Sequence, residues 1–172
     1  MIRVDPSHPA NRLALSELRS RAPRAQPVVP AAEANDPYYR CGCHPDTVER
    51  IWDDIGKHLP SDGRCVVYGT PALVQPESGV ILALCMGTRY CLRVPEDVLP
   101  AALAAGCTQS QEWGEKGSGQ TTNLIDKYGP DWVFSSWSKD ELAWCVAAYE
   151  RFGVAMGTDA GMLTTATPAA EA

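Results

Sequence analysis

Residues 79–95, GVILALCMGTRYCLRVP, decide how this chain folds. The first eight residues form an apolar run of strand length, and Gly87-Thr88 supplies a tight turn. Beyond the turn the pattern alternates. Tyr90, Leu92 and Val94 share one face, and Arg89, Cys91 and Arg93 share the other. Such alternation predicts a half-exposed antiparallel strand, so 79–86 and 88–95 together predict a β-hairpin. A two-residue connection leaves no room for the crossover that parallel neighbours need.

Upstream, RCVVYG at 64–69 is β-branched and predicts another strand. Pro71 and Pro76 confine any strand between them to a short edge over 72–75. Asp46 and Glu49 have capping-box spacing, and Val48, Ile51, Trp52 and Ile55 follow helical periodicity, predicting a helix over 47–58. Downstream, a helix is expected over about 96–105, with Pro100 near its start and Gly106 just past its end. The Gly-rich stretch 107–123 predicts a polar surface loop. A helical turn at 122–128, a strand at 132–137 and a helix over 139–152 follow. Ser138 and Glu141 would cap that helix, and Leu142, Cys145, Tyr149 and Phe152 give it an apolar stripe. The order predicts an α+β fold: a small antiparallel sheet with helices packed mainly on one face.

The two ends differ in composition. Residues 1–37 carry six prolines among Ala, Arg and Ser, with Leu13, Leu15 and Leu18 able to line a short helix from Pro9 to Arg21. So little apolar surface predicts a flexible arm, made locally basic by Arg19, Arg21 and Arg24. Residues 38–153 are expected to form a single domain. The small, nearly uncharged tail 154–172 is expected to be disordered.

The stretch from Val67-Tyr68-Gly69 through Ala83-Leu84, Tyr90-Cys91-Leu92-Arg93-Val94-Pro95, the helix to Gly106, Trp132-Val133-Phe134 and the Asp140-Glu141-Leu142 helix resembles a bacterial pattern. Over residues 64–152 it is similar to the YjbR and TfoX N-terminal-like domains and to luciferase-associated small bacterial domains. The resemblance implies a compact α+β fold and carries no reaction with it, since fold does not confer function. The 107–123 stretch and the Cys41–His44 segment lie outside the shared pattern.

Bulk properties narrow the function classes. The chain has 172 residues, a hydrophobic fraction of 45% and a net charge of -6. Phosphate backbones are bound by clustered Lys and Arg, so no nucleic-acid partner is expected. No apolar stretch is long enough to span a bilayer, and the first residues lack a signal-peptide core, so no membrane association is expected. Seven cysteines, an odd number, point to free thiols in a reducing, cytoplasmic setting.

Three groups of residues could carry chemistry. Cys41, Cys43 and His44 could ligate zinc, although the C-x-C spacing needs ligands from elsewhere. Cys43 beside His44 could instead act as a nucleophilic or redox-sensing thiol. The 112–122 stretch, with Trp113 and Lys116, suggests a contact surface closing over a pocket, since it lacks the order of a Walker phosphate loop. Tyr90 with Arg89 and Arg93 could line a sheet pocket. The leading expectation is a noncatalytic accessory or protein-interaction module without a cofactor, with a protein partner or a homodimer as its assembly. The rivals are a small thiol- or metal-dependent enzyme or ligand-binding protein using Cys41 to His44, and an immunity or defence-associated protein.

Overall fold

The computed structural model describes residues 1–34, 42–114, 119–156 and 161–165. It is an α+β fold with antiparallel sheets. The central sheet has six strands, β2 (Val28–Pro30), β3 (Arg64–Val67), β4 (Thr70–Gln75), β5 (Val80–Met86), β6 (Arg89–Arg93) and β9 (Trp132–Phe134), in that spatial order. The expected hairpin is its middle. β5 and β6 pair from Met86↔Arg89 to Ala83↔Leu92 across a turn in which Gly87 takes φ 58°, the left-handed region open to glycine.

Both faces of the sheet are covered. One packs on α2 (Pro45–Glu49), α3 (Leu99–Ala104) and α5 (Glu141–Arg151), burying Val48, Ile51, Leu73, Leu92, Ala102 and Trp144. Past Glu49 the first of these continues as a π-helical segment, Arg50–Ile55, and a 3-10 turn, Gly56–His58. The other face packs on α1 (Arg12–Arg21) and α4 (Leu124–Lys127), burying Leu15, Leu18, Val67, Ile81, Leu84 and Trp132. Alternation along β5 sends Val80, Leu82 and Cys85 to one core and Ile81 and Leu84 to the other, and a bulge breaks that alternation once. Leu73 faces Ala83 while Val74 faces Ile81, so Leu82 is the extra residue and the inward parity changes across it.

Several expectations are corrected. The opening segment is not a solvated arm. β1 (Arg3–Val4) pairs with β10 (Leu163–Thr164), and Val4, Ala14 and Leu18 are essentially inaccessible. Thus part of the segment 154–172 is also ordered against the body. β6 is not half-exposed, because Cys91 and Arg93 are buried along with Tyr90 and Leu92. β4 is an interior strand starting at Thr70. Its ladder with β5 begins only at Ala72↔Leu84, so Pro71, which lacks an N–H, interrupts no rung there. Within the 107–123 stretch, β7 (Ser110–Trp113) and β8 (Gln120–Asn123) pair antiparallel.

Helix starts also differ from expectation. The His44 side chain, not Asp46, caps α2, with Nδ1 accepting from the Asp46 N–H at 3.1 Å. Asp140 occupies the N-cap position of α5 without a side-chain cap bond, and Glu141 is turned inward.

Candidate functional site

The site is built where β6 leaves β5. Their ladder ends at Ala83↔Leu92, which exposes the edge of Ile81. Two side chains complete it. The Ile81 N–H donates to Asn11 Oδ1 at 2.9 Å, and the Ile81 carbonyl accepts from Arg93 Nε at 2.7 Å. Arg93 also donates to the Ala10 carbonyl at 2.8 Å and to Asp131 at 3.1 Å. Its guanidinium lies over the rings of Trp132, at 4.8 Å, and Phe152, at 5.3 Å. With a relative exposure of 1%, it is a cation held almost out of water. Burial pulls its pKa down, and Asp131 opposes the pull.

A cleft of about 730 Å³ opens beside this guanidinium. Leu13, Pro95, Leu99, Tyr128 and Phe152 give it apolar walls, and exposed Arg12, Arg151 and Glu96 stand along it. Tyr128, in its wall, packs against Trp132 with the ring centroids 5.2 Å apart and the planes tilted by 60°. Their Oη and Nε1 atoms are buried with no hydrogen-bond partner among the described residues. Burial holds the Tyr128 phenol well above its ordinary pKa, so it remains a neutral donor.

On the opposite face, Tyr90 belongs to a second constellation. Its hydroxyl donates to Glu141 Oε1, which also receives Arg50 at 3.1 Å. Glu141 Oε2 accepts the Ser136 N–H at 3.2 Å. Arg50 donates in addition to Tyr90 Oη at 3.1 Å and to the Ser138 carbonyl at 2.9 Å. The carboxylate is fully buried, with acceptors and donors matched around it. Burial first, and the hydrogen bond to Glu141 second, push the Tyr90 pKa far up. Trp137 covers this cluster, edge-on to Tyr90 at 4.9 Å and beneath Arg50 at 5.6 Å.

The remaining candidates gather near the Gly87 turn or stand apart. The His44 N–H donates to the Gly87 carbonyl at 2.8 Å. His44 Nδ1 is engaged by the helix cap, which leaves Nε2 alone for any ligand. Trp113 stands 3.9 Å from where a side chain on Gly87 would begin; it packs edge-on against Phe134 and donates to Thr122 Oγ1 at 2.9 Å. Arg89 donates to Gln111 and to the Ser135 carbonyl, both at 2.6 Å, with Phe134 beneath it.

Cys41 and Lys116 lie outside the described residues. Among the described residues no three His, Cys, Asp or Glu side chains converge as a metal site. Arg93, Tyr90 and Cys43 thus belong to three separate places. Sequence reasoning missed Asn11, Arg50, Asp131 and the inward role of Glu141. Only Glu141 carried a signal, a carboxylate three residues after Ser138, which local capping explained equally well. No protein-family model, curated protein or solved structure matches the chain.

Proposed function

We propose that this chain is a noncatalytic binding module whose Arg93 cleft receives a small organic anion with an apolar body. The observation that carries this reading is a buried guanidinium at the edge of an apolar cleft of about 730 Å³, a volume within the usual range for small-molecule pockets. Asp131 is already committed to Arg93. Of the remaining charges along the cleft, Arg12 and Arg151 outnumber Glu96, which favours an anion over a cation. Apolar walls exclude water and strengthen that attraction.

The test is a titration with 3-phenylpropionate and the neutral 3-phenylpropanol, followed by tryptophan fluorescence. The reading expects the carboxylate to bind roughly tenfold tighter than the alcohol, and the Arg12→Glu/Arg151→Glu variant to lose that preference while melting like the parent. Equal binding of both probes, or a preference untouched by the charge reversal, removes the support.

Trp137 favours a second reading, the protein-interaction module. It is 48% exposed and stacked with Arg50, and Trp and Arg are the residue types that dominate binding hot spots. Sedimentation of the parent and of Trp137→Ala across a concentration series tests the homodimer version. A concentration-independent monomer for the parent rules it out.

A further inference from the structure

We propose that Cys43 and Cys85 form a hydroperoxide-reactive pair, in which Cys43 is oxidised first and Cys85 resolves it as an intramolecular disulfide. This site is separate from the anion cleft and does not depend on it.

The placement comes from the β5–β6 turn. Cys85 lies on β5 two residues before Gly87, and the backbone bond from His44 to the Gly87 carbonyl, 2.8 Å, brings the 43–44 segment onto that turn. Cys43 packs on the same apolar cluster that contains Cys85. The two thiols are close enough for each to shift the other's ionisation, and the Gly87 backbone stands beside Cys43.

Exposure makes the pair selective. Among the described cysteines Cys43 is half-buried, whereas Cys65, Cys85, Cys91, Cys107 and Cys145 are buried. A small oxidant therefore meets Cys43 first. The thiol is also chemically prepared. The bond from Cys85 pulls its pKa down, burial opposes this, and the Gly87 N–H and the Arg21 charge assist. Burial holds Cys85 well above the ordinary thiol range, so it stays protonated and unreactive until a partner appears beside it.

The chemistry balances with a hydroperoxide as the oxidant. The Cys43 thiolate attacks one peroxide oxygen; an S–O bond forms, the O–O bond breaks, and the departing oxygen takes a proton as water or an alcohol. Cys43 is then a sulfenic acid, oxidised by two electrons while the peroxide is reduced by two. The Cys85 sulfur attacks the sulfenic sulfur; an S–S bond forms, the S–O bond breaks, and hydroxide leaves with the Cys85 proton as water. Closure ties the segment ahead of α2 to the central hairpin.

The test treats the reduced full-length protein with hydrogen peroxide, blocks residual thiols with N-ethylmaleimide and maps the peptides without reduction. A Cys43–Cys85 linked peptide that dithiothreitol separates is expected. In Cys85→Ser, whose hydroxyl keeps a donor beside Cys43 but cannot form the disulfide, dimedone should label Cys43, at a rate roughly tenfold above any described buried cysteine. Cys41→Ser should form the linked peptide as the parent does. A Cys41–Cys43 link in the parent, loss of the 43–85 link in Cys41→Ser, or oxidation of Cys43 no faster than Cys65 would overturn the proposal. Circular dichroism of each variant before oxidation confirms that it is folded.

Discussion

Asn11 completes the hydrogen bonding of Ile81, a residue 70 positions away in sequence. Its amide oxygen takes the Ile81 N–H, and its amide nitrogen donates to the carbonyls of Gly79 at 2.7 Å and Asp5 at 2.8 Å. One fully buried side chain thus does the work of a short strand and fastens the opening segment to β5. The same contact fixes Ala10, whose carbonyl holds Arg93 beside the cleft.

Replacing Asn11 by Ala strands the buried Ile81 N–H, while the Gly79 and Asp5 carbonyls keep the N–H groups of Asp5 and His8. At roughly 1–3 kcal/mol for the N–H left unsatisfied, with a smaller loss at the two carbonyls, the cost should be about 3 kcal/mol in urea unfolding. Asn11→Asp should be worse, because a buried carboxylate would face two carbonyl oxygens and could donate to neither. A loss below about 1 kcal/mol for Asn11→Ala would mean that the opening segment is not fastened in this way.

The buried thiols and phenols set a second expectation, lability in alkali. Burial raises Cys65, Cys85 and Cys91 strongly and pushes Cys145 up to about 12 from an ordinary 9.0. A folded-state pKa above the unfolded one favours folding while both states are protonated. That contribution is lost as pH rises past the unfolded value, because the unfolded chain ionises first. Tyr90 and Tyr128 join from about pH 10. Cys43 acts in the opposite sense, but it is one group against several. Each fully shifted group withdraws about 1.4 kcal/mol per pH unit beyond its unfolded pKa. Urea unfolding under reductant should therefore show stability falling steeply above pH 9, and Cys65→Ala should make the fall shallower by one proton's slope. A flat profile to pH 10.5 would show that these groups take up water when the chain folds.

The hairpin was legible because everything that makes it is local: an apolar run, a glycine turn and a period of two. The helix over 47–58 was legible for the same reason, since Val48, Ile51, Trp52 and Ile55 repeat at helical spacing and all four are buried. Arg93 was not. Its alternation partners, Arg89 and Cys91, suggested a polar face, whereas its burial depends on Asp131 and on Trp132 opposite it in the β6–β9 register. The continuous apolar run of β5 hid the second core, because Ile81 and Leu84 turn to the face opposite Val80, Leu82 and Cys85. Leu15 and Leu18 signalled a helix, but their partners Val67 and Leu84 lie far along the chain. β7 and β8 have little apolar alternation to read, since SQEW and QTTN are mostly exposed.

The Tyr90–Glu141–Arg50 cluster should behave as a unit. Tyr90→Phe removes one donor to a buried carboxylate and should cost about 1.5 kcal/mol, and Glu141→Ala should cost about 3–5 kcal/mol by taking the buried counter-charge from Arg50 and the acceptor from the Ser136 N–H. Because both changes act on one carboxylate, the double variant should lose less than their sum, with a coupling of about 1 kcal/mol or more. Additive losses in chemical denaturation would mean that the tyrosine hydroxyl and the carboxylate do not interact in solution.

Trp137 offers the sharpest test of how that cluster presents itself. Its φ is 61°, a region that costs a residue with a Cβ roughly 1–2 kcal/mol and glycine almost nothing. Its ring contacts with Tyr90 and Arg50 offset part of that cost, at about 0.5–1.5 kcal/mol each. Trp137→Ala keeps the backbone cost and loses both contacts, so it should be the least stable form. Trp137→Gly loses the same contacts but also the backbone cost, and should exceed the alanine variant by about 1 kcal/mol. At ordinary backbone positions the order is reversed, since glycine gains more entropy on unfolding. Thermal unfolding of the pair therefore reads the backbone directly. Alanine equal to or above glycine would mean that residue 137 relaxes out of the left-handed region in solution. The exposed ring would then lose the geometry that seats it on Arg50, and with it the basis for a tryptophan-centred contact surface.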